Sequence, residues 1–383
     1  MKKSYLMIAA AVALFTACAE KDAFKDVDTQ DVAIGFDGKY VNKVTRAEIV
    51  ESWFQNTSNH FGVYGYKGDF QLFNKEDVSW NGSDWTHSTV RFWDKAATDY
   101  NFYAYAPYAA THTFTNKKFT FTAVPVIKDI STDNADIVIA TPITAMGYGN
   151  CTQKTVAGHG EGHVEFDFNH ILSKLAFKVK TSVNPNYAEI TVTKVELDFP
   201  EGTASWTQTA YDATPGTTAY SSYDAKDAVS IDAQTSEEVV DLTKFETPVF
   251  EGETAALTST AVEIQDATTT TNKGKIFIVA PVTGAASGDG SEHIFGVKVT
   301  YDVQYKKEDP QHAGQYVNDG DPEEGCIATG VIGGHETDAT KQYKPTQNSS
   351  YIVTIDVNPA QIQFCVDDVI GWDNDTPREM TVE

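Results

Sequence analysis

Residues 100–126 read YNFYAYAPYAATHTFTNKKFTFTAVPV, and their spacing decides the fold. YNFYAYAPY clusters aromatic and small apolar residues over a strand's length, and KKFTFTAVPV alternates large apolar residues with Thr. A period of two sends successive side chains to opposite faces of an extended chain, so each stretch reads as a strand. The polar, Asn- and Lys-containing segment between them suits a turn. The same pattern extends in both directions. DVAIGFDG, HFGVYGYKG and STVRFWD come before it. NADIVIATP, HVEFDFNHILSKLAFKVKTS, EITVTKVELDF, EEVVDLTKF, KGKIFIVAPVT, IFGVKVTYDVQY, SYIVTIDVNP and QIQFCVDDVIGW come after it. Helical periodicity is scarce, with AEIVESWFQ (47–55) the best short-helix candidate. Many short strands separated by turns predict an all-β protein of sandwiched antiparallel sheets. The polar stretches 207–226, 267–275 and 308–325 are expected to be surface loops.

A chain of 383 residues fits about two domains at roughly 150 residues each. The Gly-rich run AMGYGNCTQKTVAGHGEGH (145–163) places the boundary near residue 160. The expected bodies are then 31–159 and 160–383, the second ending in a strand-like tail from about 359 to 383. Hydrophobic residues at 41% and aromatics at 12% are enough to fill such cores. A formal charge of −25 repels a phosphate backbone, which argues against a nucleic-acid partner.

The chain begins MKKSYLMIAAAVALFTAC, a basic start, a short apolar run and small residues before Cys18. Residues 1–17 therefore read as an export signal outside the fold. The charged segment 18–30 reads as a flexible tether. Cys151, Cys326 and Cys365 show no C-x-x-C spacing, and isolated buried thiols are preferred to a Cys326–Cys365 bridge.

Few motifs carry chemistry. His159, Glu161 and His163 in HGEGH could share one face of an extended chain, but their Gly-rich setting lacks the rigidity a metal site needs, and no metal or cofactor is assigned. His170, set among apolar residues in FDFNHILSKL, reads as a satisfied core or turn histidine. No P-loop, dinucleotide fingerprint or nucleophile elbow is present, so no enzymatic activity is assigned. Trp80 and Trp85 flank an Asn-Gly turn and are read as facing partners on a hairpin, with surface glycan binding as the alternative. Trp93, Tyr100, Phe102, Tyr103 and Tyr105 are assigned to the core.

Several pieces occur together in one family. The signal ending at Cys18, VTRA at 44–47, VRFWDKAATDYNFYAYAP (90–107), FNHILSKLAFKV (168–179) and KPTQNSSYIVTIDVNPAQIQFCVDDVIGW (344–372) resemble the fimbrillins, type V pilins of Bacteroides-type bacteria. The resemblance implies two tandem transthyretin-like β-sandwiches, lipidation of Cys18, and transit through the periplasm to the outer membrane and cell surface. It also implies cleavage between Arg46 and Ala47 by an Arg-specific or trypsin-like protease. The strand lost by cleavage is replaced by a C-terminal strand of another fimbrial subunit.

That mechanism is physically coherent here. VAIGFDGKYV (32–41) is strand-like and lies just before Arg46. Its removal would expose apolar side chains and unpaired backbone groups, which a new strand would cover. Ile362, Phe364, Val366, Val369 and Trp372 are the donor residues expected. The competing reading is a surface lipoprotein that stays monomeric and binds a glycan or host protein.

Overall fold

A computed structural model describes residues 32–40, 51–130, 136–151, 162–198, 201–210, 216–224, 229–231, 238–269, 271–281, 295–332, 345–358 and 363–371. The all-β expectation holds. An eight-stranded sheet takes β1 (Gly35–Tyr40), β2 (His60–Lys67), β3 (Phe70–Trp80), β4 (Trp85–Thr86), β5 (Tyr100–Ala106), β9 (Val138–Ala140), β10 (Ile143–Met146) and β11 (His163–His170). Its order is β1-β11-β9-β5-β2-β3-β4, with β10 also on β5. A four-stranded sheet, β15-β14-β7-β6, is built from β6 (His112–Thr115), β7 (Lys118–Pro125), β14 (Glu201–Gln208) and β15 (Gly216–Asp224).

A six-stranded sheet runs β25-β24-β12-β20-β8. It uses β8 (Ile127–Asp129), β12 (Ser173–Lys180), β20 (Phe277–Val279), β24 (Ser349–Asp356) and β25 (Gln363–Gly371), with β19 (Val262–Glu263) on β12. A five-stranded sheet faces it, made of β13 (Ala188–Leu197), β18 (Thr247–Glu251), β21 (Phe295–Glu308), β22 (Tyr316–Asn318) and β23 (Glu323–Ile332). The pair β16 (Val229–Ile231) and β17 (Glu238–Val240) forms its own two-stranded sheet, and a short helix, α1 (Glu51–Phe54), falls inside the stretch expected to be helical.

Strand β5 shows why its sequence is almost wholly apolar. Tyr100, Phe102, Ala104 and Ala106 enter one core, and Tyr103 and Tyr105 enter another on the opposite face. A strand covered on both faces has no solvent side on which to place polar residues. The first core is enclosed by the eight-stranded sheet, which curls so far that Phe36 of β1 meets Phe73 of β3 at 4.9 Å between ring centroids. Trp93, buried in this core, packs on Tyr100 and Phe102. The second core lies between that sheet and the four-stranded one and includes Phe119, Phe121 and Trp206. The third lies between the six- and five-stranded sheets.

Three expectations need correction. The boundary near residue 160 would cut β1 from its partner β11, because the β1–β11 ladder ties residues 35–40 to residues 163–168. The sheets are not purely antiparallel, since β1–β11 and β12–β24 are parallel pairs. Parallel partners need long crossovers, and these connections wrap whole sheets between paired strands. Finally, the polar stretch 207–226 contains β15, and 308–325 contains β22. Thr-rich composition suits an outer strand whose neighbour supplies the buried residue, here Trp206 of β14 opposite Thr218.

The cores also interlock. Ile278 of β20 and neighbouring Ala280 belong to the second core, while Phe277 and Val279 belong to the third. One three-residue strand thus joins the two halves through its alternation.

Candidate functional site

The strand expected to be removable occupies a closely fitted seat. Strand β1 ends the order of the eight-stranded sheet, with Gly35 opposite His163 and Tyr40 opposite Phe168. Ile34 and Phe36 are fully buried in the first core. Phe36 lies among Phe73, His87, Phe102 and Phe166, with centroids 4.9–5.9 Å away. Helix α1 closes the seat, its Phe54 stacked on Phe168 at 4.6 Å.

Gly35 and Asp37 alternate with Ile34 and Phe36 and are equally buried. His163 lies across Gly35, where an added Cβ would come within 2.1 Å of the imidazole. Only glycine admits the ring at that position. Asp37 is fully buried, and its Oδ1 lies 2.7 Å from His163 Nδ1. A buried carboxylate needs such a partner to offset its desolvation. The seat therefore reads the sequence of its occupant: apolar at 34, glycine at 35, aromatic at 36 and a carboxylate at 37.

The far side of β1 is not open. After β4 the chain returns as a strap, residues 87–93, antiparallel to residues 32–34. Ile34 N donates to Arg91 O at 2.8 Å, and Trp93 N donates to Val32 O at 3.0 Å. His87 Nε2 stands 3.1 Å from Ile34 O, and Trp93 Nε1 donates to Gly162 O at 2.7 Å. Buried Glu76 of β3 pins the start of the strap, accepting bonds from the backbone N–H and hydroxyl of both Ser88 and Thr89 at 2.6–3.0 Å. Burial alone would push the Glu76 carboxyl up, but the bonds from Thr89 and Ser88 outweigh it and hold its pKa below the ordinary value. The strap's far end is held by Asp94, which pairs with Lys67 at 2.7 Å. The seat is thus a slot with two hydrogen-bonding walls, β11 and the strap.

Cys18, Arg46, Ala47, Ile362 and Trp372 lie outside the described residues. The other expected donor positions lie in β25, at the edge of the six-stranded sheet, paired with β24. Positions 364, 366 and 369 stand opposite Ile355, Val353 and Tyr351, all buried. A register shift beside Val366 is what puts position 369, rather than 368, on that face. The tail expected to be spare therefore has a place in its own subunit.

Of HGEGH, His159 and Glu161 lie outside the described residues, and His163 is committed to Asp37. His170 is fully buried, with Nδ1 2.8 Å from Asp136. Trp80 and Trp85 are indeed a cross-strand pair, their rings 5.4 Å apart, with Trp85 buried among Phe54 and Phe61. Cys326 is not disulfide-bonded, so no Cys326–Cys365 bridge forms.

Sequence reasoning weighed His163 only as a metal ligand and read STVRFWD only as a strand, and it missed Asp37 and Glu76. An Asp inside the apolar run AIGFDG was the available signal, since a charge within a core strand demands a partner.

The chain matches the model of a family described as fimbrillin-like over residues 45–372. No curated protein matches it. Among solved structures it is similar to a fimbrial protein from Bacteroides vulgatus, at 20% identity and TM-score 0.44, covering 89% of this chain and 99% of that one. It is also similar to a candidate cell adhesion protein from Bacteroides uniformis, at 15% identity and TM-score 0.40, covering 89% and 98%. The tip fimbrial protein Mfa3 from Porphyromonas gingivalis is a further likeness, at 13% identity and TM-score 0.33, covering 88% and 100%.

Proposed function

This chain belongs to the fimbrillin-like family, a structural and non-enzymatic class of cell-surface protein, and from that premise we propose how it enters a fimbria. It is exported as a lipoprotein held to the outer membrane through Cys18. A trypsin-like or Arg-specific protease cuts between Arg46 and Ala47, in the stretch between β1 and α1. The cut frees β1 from the body, and with it the lipid. The tail of a neighbouring subunit, carrying Ile362, Phe364, Val366, Val369 and Trp372, then fills the vacated slot. Head-to-tail repetition of an unclosed contact gives a filament.

One observation carries this reading: β1 is a sheet-terminal strand joined to the body by the segment that contains Arg46, yet it supplies the fully buried Ile34 and Phe36. Their burial is worth roughly 1.5–3 kcal/mol each. An empty slot would also strand the donors and acceptors of β11 and the strap. Loss of β1 is therefore tolerable only if another strand replaces it, which couples cleavage to assembly.

Native trypsin treatment of the chain from residue 19 onward, followed by N-terminal sequencing, tests the reading. A new N-terminus at Ala47 together with multimers is expected, and an Arg46→Ala variant should yield neither. Mature surface protein that still begins at Cys18 and runs as a monomer would contradict the mechanism and favour the lipoprotein that binds a glycan or host protein.

A further inference from the structure

Two distant stretches share a four-residue pattern, Ile34-Gly35-Phe36-Asp37 in β1 and Ile370-Gly371-Trp372-Asp373 near the C-terminus. The residue types agree at every position except the third, where one aromatic replaces another. Each matched position has a separate task in the seat of β1. Ile34 and Phe36 fill the first core, Gly35 makes room for His163, and Asp37 partners His163 Nδ1.

We propose that the tail of a second copy of this chain takes the place of β1 in this register, parallel to β11. Ile370 replaces Ile34, Gly371 lies beneath His163, Trp372 fills the Phe36 pocket, and Asp373 meets His163 Nδ1. This rests on the exchange mechanism above and narrows its donor to residues 370–373, with Ile362, Phe364 and Val366 falling before the slot. The motif reads in the same direction in both stretches, which gives the parallel orientation.

The competing register is set by the alternation of Phe364 and Val366, which would put those residues in the places of Ile34 and Phe36. It places Cys365 at the position of Gly35, where any Cβ falls 2.1 Å from the His163 ring. Gly371 avoids that collision. Within its own subunit the first two residues of the motif end β25, Ile370 and Gly371 standing opposite Ser350 and Ser349. A terminal segment of an edge strand opens more readily than its middle, so the motif is the part of the tail most easily offered to a neighbour. A tail that instead filled its own subunit's slot would leave a monomer, at odds with a fimbrial subunit.

The test uses the chain from residue 19 to 383 with a specific protease site inserted between β1 and α1, so that severing does not depend on Arg46. After cutting, mass spectrometry follows loss of the β1 fragment, and light scattering follows multimers. Gly371→Ala should slow multimer formation about tenfold through the clash with His163. Asp373→Asn should slow it by about as much through loss of a charged hydrogen-bond partner. Trp372→Phe should be tolerated, since Phe36 already fits the pocket. In a His163→Ala background, Gly371→Ala should have no further effect.

Multimerisation of Gly371→Ala and Asp373→Asn at the parent rate overturns the register and leaves strand exchange standing. So does an effect of Gly371→Ala that persists unchanged in the His163→Ala background. Severed parent protein that loses β1 and forms no multimers overturns both. Failure of trypsin to cut after Arg46, with the inserted site supporting multimers as described, overturns only the natural cleavage position.

Discussion

Glu76 is a single residue on which the slot's second wall depends. Its carboxylate takes four bonds from Ser88 and Thr89, and no other residue type of similar length could accept them all. Its pKa is lowered on folding, so its contribution is fully present above the ordinary glutamate value of about 4.3. The contribution fades as pH falls through the lower folded value. Glu76→Gln should cost about 1–3 kcal/mol at neutral pH, because an amide leaves donors unmatched. Thermal melts of the two proteins should converge on acidification below about pH 4 as the parent carboxyl protonates. Parallel melting curves down to low pH would contradict this. Asp37 and His163 teach the same lesson from the other wall: polar residues buried here hold strands in place rather than doing chemistry.

At the scale of elements, what the sequence disclosed depended on how far apart the interacting parts lie. Alternation in residues 100–126 identified β5 and β7, and the Asn-Gly turn paired Trp80 with Trp85, because the contacts involved are local. The strand character of residues 32–41 was equally plain. Its partner was not, since β11 begins more than a hundred residues later and pairs in parallel, with no turn to announce it. The same holds for the strap: STVRFWD (88–94) read as a strand, but its pairing with residues 32–34, far off in sequence, had no local signal. Strand β15 was hidden for a different reason. Its Thr- and Ser-containing sequence lies beside β14, which carries the buried Ala204 and Trp206, and composition alone cannot see a neighbour's side chain. The tail was legible as a strand, but not as one already paired with β24.

Across the whole molecule, the cores do not separate at a linker. Ile278 sits in the second core while its immediate neighbours serve the third, and β8 from the first half pairs with β20 in the second. Ile278→Ala should therefore destabilise both halves together, by about 2–5 kcal/mol for a fully buried aliphatic side chain. Calorimetry should show one transition shifted as a unit, whereas two transitions with only one displaced would mean the halves are independent. The direction of β1 has its own consequence. The strand enters the slot at Val32, from the side where the chain runs back to Cys18, and leaves at Tyr40 toward Arg46. A tail lying the same way brings its subunit to the Val32 end, which would face the membrane under the proposed anchoring through Cys18. Each newcomer would then join beneath its predecessor, and the fibre would lengthen from its root. Pulse-labelled subunits should appear next to the cell surface, and label at the distal end would mean the opposite polarity.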